Sequence, residues 1–94
     1  MHERALMTDL VREIDSVARA DEAVRVTRVA VRLGALSHFT PEHFREHFAQ
    51  ASHGTIAEGA AIDAVLEQDL DAPRATGVVL ESVEVELVDD GGAG

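Results

Sequence analysis

Val24-Arg25-Val26-Thr27-Arg28-Val29-Ala30-Val31-Arg32-Leu33-Gly34 is the stretch on which the architecture turns. Val29, Val31 and Leu33 alternate with Ala30 and Arg32, the period-two pattern of a strand with one buried face. Val24 and Val26 have the opposite parity, so a bulge or twist is expected near Thr27–Arg28. Gly34 breaks the strand and permits the positive φ that a turn there would need.

Amphipathic segments lie on either side. Leu6, Leu10, Ile14 and Val17 recur at helical spacing from Glu3 to about Ala20, widened by Met7, Val11 and Ala18, with charged residues on the remaining surface. Downstream, Thr40-Pro41-Glu42 is a helix start: a hydroxyl cap, proline in the first turn and an acid beside it. The helix runs to about Ala51 with Phe44 and Phe48 on one face. Ala60–Glu67 reads as a second strand, Gln68–Gly77 as a polar loop and Val78–Val88 as a third strand. Residues 89–94 are expected to form a disordered tail.

The order α-β-α-β-β predicts an α/β (α+β) two-layer sandwich with two helices on one face of a three-stranded mixed sheet. Strands one and two, joined through a helix, should be parallel by a right-handed crossover. Charge supplies the strand order. Arg28 and Arg32 point outward from the first strand, whereas Asp63, Glu67, Glu84 and Glu86 point outward from the other two. Opposite charges across strands are favourable and like charges are not, so strand one is expected in the centre. A hairpin of strands two and three is the competing arrangement and would set their acids side by side.

The totals narrow the function. Ninety-four residues with a net charge of -10, eight arginines and no lysine do not make a phosphate-binding surface, and three phenylalanines make no base-stacking platform. Nucleic acid is not an expected partner. No apolar run has membrane-spanning length, and the amphipathic start does not resemble a signal peptide, so a cytoplasmic location without membrane attachment is expected. Cysteine is absent, which excludes disulfides, thiolate nucleophiles and cysteine-based zinc sites. Ser37-His38 and the acidic strands offer residue types for catalysis but no nucleophile elbow or phosphate loop, so no enzyme is expected.

Metal chemistry is the remaining opportunity. At Met1-His2-Glu3 the α-amine of Met1, the amide nitrogen of His2 and its Nδ1 can close adjoining small chelate rings, and the Glu3 amide could complete a square. A bulky second residue is expected to keep the methionine in place. Nickel(II) and copper(II) favour such tetragonal nitrogen sets, whereas zinc prefers a tetrahedron. The alternative is that His2 is merely the second residue of an exposed helix end. His43 and His47, four apart on the second helix, share one face. They are either an auxiliary metal site or a solvated face opposite Phe44 and Phe48. His38 and His53 read as surface histidines, and Glu58 as a turn-stabilising residue.

Met1-His2-Glu3 with Leu6 opening a helix, Val29-x-Val31-x-Leu33-Gly34-x-Leu36-Ser37, Pro41-Glu42 with Phe48, Gly54-Thr55-x-x-Glu58-Gly59-Ala60 and the closing Glu81-Ser82-Val83-Glu84-Val85-Glu86 together resemble the HypA/HybF family, in order and over nearly the whole chain. Members are nickel metallochaperones for nickel–iron hydrogenase maturation that work with a GTPase. The resemblance implies nickel(II) at His2, with Glu3 contributing through backbone or side chain. It also implies a hydrogenase large-subunit precursor and an accessory GTPase as partners. An interaction module that kept the fold but lost metal transfer is the alternative reading. The departure lies between the last two strands. There the family carries a zinc-binding insertion with two Cys-x-x-Cys pairs, and this chain has only residues 68–77, so no zinc is expected. Residues 1–88 would then be one nickel-binding domain.

Overall fold

The computed structural model describes residues 2–37, 39–71 and 77–87, the side chains of residues 2–4 excepted. The elements are α1 (His2–Ala20), β1 (Ala23–Leu33), α2 (Pro41–Ala51), β2 (Ala61–Leu66) and β3 (Val78–Leu87), the order expected from the sequence. Val88 and the tail at 89–94 lie outside the described residues. The sheet order is β2-β1-β3. β1 runs parallel to β2, with Val29 opposite Ile62 and Val31 opposite Ala64. It runs antiparallel to β3, with Val29 opposite Val83. Strand one is central.

The outer face of the sheet carries the charge pairing that argued for this order. Arg28 Nη1 donates to Asp63 Oδ2 on β2 at 2.7 Å. Arg32 reaches both neighbours, donating to Glu67 at 3.3 Å on one side and to Glu81 at 3.1 Å on the other. Arg25 pairs with Glu86 at 2.7 Å. Glu84 stands opposite Arg28 in the register. Such exposed pairs add little stability individually. Their effect is selective, because the hairpin alternative would replace each attraction with carboxylate opposite carboxylate.

The bulge falls where the valine parity changes. Val26 pairs with Val85 and Arg28 with Glu84, leaving Thr27 as the extra residue on β1, its hydroxyl donating to the Glu84 carbonyl at 3.2 Å. The extra residue lets Val26, Val29, Val31 and Leu33 all reach the core, each no more than 2% exposed. Two irregularities were not expected. Val24 is itself bulged out between Ala23 and Arg25 and is 49% exposed. Glu81 is an extra residue on β3, between the pairs Ala30–Ser82 and Val31–Leu80. Gly34 departs from expectation as well: among the described glycines the positive φ values belong to Gly54 and Gly59.

Both helices cover one face. Met7, Leu10, Val11, Ile14 and Ala18 of α1 join the four β1 residues, Phe39, Phe44, Phe48 and Ala57 in a single buried cluster. Val17, in the apolar stripe by spacing, stays exposed at its edge. α1 ends in a turn that places Glu22 at φ 58°, a left-handed residue just past the helix. α2 starts as its sequence implies, with Pro41 in the first turn and Thr40 Oγ1 accepting the His43 N–H at 3.1 Å. Phe39, just before the cap, packs edge-on against Phe44 with ring centroids 5.7 Å apart. That contact is a hydrophobic staple and sets the angle at which the chain enters the helix.

The loop from β2 to β3 is tied at both ends to the end of β1. Glu67 N–H donates to the Leu33 carbonyl and Gly34 N–H donates to the Gly77 carbonyl, each at 2.8 Å. Among the described residues no helix is long and apolar enough to cross a membrane.

Candidate metal centres

Helix α1 begins at His2. The first four N–H groups of a helix have no carbonyl one turn earlier to receive them. The amides of His2 and Glu3 are therefore available to a ligand without loss of any helical hydrogen bond. Five residues further on, Met7 is 2% exposed, so the helix is anchored in the core within two turns of its start. Met1 and the side chains of His2 and Glu3 lie outside the described residues.

The second candidate is better defined. His43 and His47 stand one turn apart on α2, and their Nε2 atoms approach to 2.8 Å, with ring centroids 4.4 Å apart. Helical geometry brings i and i+4 side chains together, but the convergence of these nitrogens depends on χ angles that spacing alone does not specify. Phe39 backs both rings, its centroid 6.1 Å from that of His43 and 6.5 Å from that of His47. Its position before Thr40-Pro41-Glu42 is the one signal that could have been read, since a staple residue lies against the first turn of its helix. His43 is exposed and His47 half-buried. Among the described residues no group of three or more His, Asp or Glu side chains converges as a metal cage. His38 lies outside the described residues.

His53 and Glu58 belong to a different structure. The His53 Nδ1 lies 2.9 Å from Glu58 Oε2, and Glu58 Oε1 accepts the Gly54 N–H at 3.3 Å. Buried Ser52 supplies a carbonyl that accepts Thr55 Oγ1 at 2.6 Å, and the Thr55 hydroxyl in turn accepts the Ala57 N–H at 3.1 Å. These bonds brace the turn that leads Ala57, fully buried, into the core. Glu58 is a turn residue here, as its position between glycines implied.

An open groove of about 430 Å³ between α1 and this turn is lined by Thr8, Val11, Arg12, Asp15, Arg19 and Ile56, among others. Arg19 donates to Asp15 at 2.7 Å along its rim. Nothing in the sequence pointed to it.

The family profile described as "Hydrogenase/urease nickel incorporation, metallochaperone, hypA" matches residues 1–72. The hydrogenase maturation factor HypA of Chlorobium limicola is 40% identical over 63 residues, covering 67% of this chain and 54% of that protein. Its namesake from Archaeoglobus fulgidus is 38% identical over 68 residues, covering 72% of this chain and 62% of that protein. The chain thus spans little more than half the length of the curated relatives it matches. The solution structure of the Ni metallochaperone HypA from Helicobacter pylori superposes with a TM-score of 0.75 at 17% identity, over 92% of this chain and 98% of that one. At that identity the likeness concerns the fold.

Proposed function

This chain belongs to the HypA family, and from that premise we propose that it carries nickel(II), held at Met1-His2-Glu3, for hydrogenase maturation. The ligands are the Met1 amine, the backbone nitrogen and Nδ1 of His2, and Glu3 through its amide or carboxylate. Residues 1–88 act as a single domain, in the cytoplasm, and catalyse no reaction of their own. The metal is cargo, passed to a hydrogenase large-subunit precursor with the help of an accessory GTPase. With no cysteine in the sequence, nickel rather than zinc is the metal expected on the protein.

The observation that carries this reading is the family match, which begins at residue 1 and includes Met1-His2-Glu3. With a free Met1 amine, the amides of His2 and Glu3 lie in the first turn of α1, outside the helical ladder and beside that amine. Deprotonated amides suit the flat, strong-field nitrogen square that nickel(II) accepts and zinc does not. Because the nitrogens must lose protons to bind, uptake should rise with pH.

The test is a nickel titration of protein with a free Met1 amine, following the d–d absorption of planar, diamagnetic nickel. The band should vanish in His2→Ala and when a single residue is added ahead of Met1. A band indifferent to both changes would refute the terminal site. Recovery of a hydrogenase component in pull-down by a protein that forms no such band would favour an interaction module without metal transfer.

A further inference from the structure

The convergence of His43 and His47 goes beyond the terminal site and does not depend on it. We propose that these two imidazoles form a second divalent-metal site, a bidentate clamp on α2 that takes nickel(II) or a similar late first-row ion.

The argument is geometric. With metal–nitrogen bonds of about 2.0–2.1 Å, two nitrogens at adjacent corners of a coordination square lie about 2.9 Å apart, and at two corners of a tetrahedron about 3.3 Å apart. The Nε2 atoms of His43 and His47 are 2.8 Å apart. That separation is close to the one between neighbouring corners of a square or octahedron, geometries that nickel(II) and copper(II) adopt. Phe39 stands behind both rings and restricts their rotation. Its own clamping against Phe44 ties that restraint to the core. His43 is further held through its backbone, whose N–H is capped by Thr40. The two donors thus lie near their bound separation before any ion arrives, and ring rotation turns both lone pairs toward a common ion.

Without metal, a separation of 2.8 Å is a hydrogen bond, with one Nε2–H donating to the other ring's Nε2 lone pair. Chelation needs both lone pairs, so the bridging proton moves to the Nδ1 of its own ring through solvent as the ion enters. The neutral pair therefore binds with no net proton change. Two imidazoles fill two coordination positions, and other ligands fill the rest.

The probe is nickel(II) alone, added to protein whose terminal site is removed by His2→Ala, so that failure here is separable from failure at the terminus. Metal retained after gel filtration, imidazole NMR signals of His43 and His47, and thermal midpoint are measured together. The expected result is one retained equivalent, broadening of those two ring signals and a midpoint raised by metal. His43→Gln and His47→Gln should each abolish all three, while circular dichroism shows both variants folded. The proposal is overturned if His2→Ala protein retains no nickel, or if it retains the same amount after either glutamine substitution. It is overturned as well if the broadened signals belong to His53 instead.

Discussion

Removing one residue from β1 should have very unequal consequences at two positions only three residues apart. Deleting Thr27 removes the extra residue of the bulge and leaves Val26-Arg28-Val29-Ala30-Val31-Arg32-Leu33. In that sequence simple alternation already points Val26, Val29, Val31 and Leu33 inward. The pairings of Val26 with Val85 and of Arg28 with Glu84 can both persist, and the parallel ladder with β2 begins only at Arg28. The loss is the exposed hydrogen bond from Thr27 to Glu84, about 1 kcal/mol. Deleting Ala30 instead turns Val31 and Leu33, 1% and 0% exposed, to the wet face and brings Arg32 inward, because side chains alternate along a strand. Exposing two such side chains costs about 3–6 kcal/mol. The total stability expected for a chain of this length is about 5–14 kcal/mol. Urea unfolding followed by circular dichroism reads the difference, at about 1–3 kcal/mol per molar shift in midpoint. The reasoning fails if the Thr27 deletion is as damaging as the Ala30 deletion, or if the latter leaves the midpoint within experimental scatter.

Three other outcomes follow from the packing and the charges. Phe44→Ala, at a fully buried ring, should cost about 3–5 kcal/mol and lower the calorimetric midpoint well beyond an exposed control such as Gln50→Ala. Glu22→Gly, at φ 58°, should stabilise by about 1 kcal/mol, because glycine enters the left-handed region without a Cβ penalty. A destabilisation measured by urea would contradict that assignment. The pKa of Arg28 is raised first by its hydrogen bond to Asp63, and that of Arg32 first by its hydrogen bond to Glu81. A raised value in the folded state means that this contribution is complete below the ordinary arginine range and is lost only as pH climbs through the raised value. The difference in urea midpoint between the parent chain and Arg32→Gln should therefore stay constant from about pH 7 to about pH 10.

Much of the fold could be read from local pattern. The change of valine parity located the Thr27 bulge, the run Thr40-Pro41-Glu42 located the start of α2, and the outward charges Arg28, Arg32, Asp63 and Glu67 gave the strand order. These features are legible because each is governed by residues close in sequence or by a simple complementarity of sign. The displacement of Val24 and the extra Glu81 on β3 were not legible. A bulge at those points is set by how two twisted strands keep step, which depends on the partner's register rather than on either sequence alone. The candidate sites divide in the same way. Spacing placed His43 and His47 on one face but could not give the 2.8 Å approach of their nitrogens, which arises from side-chain rotation against Phe39. The Met1-His2-Glu3 site rests on chelate chemistry and resemblance.

The two bonds that fasten Glu67 to Leu33 and Gly77 to Gly34 make the end of β1 a pair of fixed gateposts. Chain of almost any length can leave through one and return through the other while the ladder beneath stays intact, since lengthening a closed loop costs only about 0.6 kcal/mol per doubling. A whole folded appendage could be gained or shed there during evolution without the sheet having to be rebuilt.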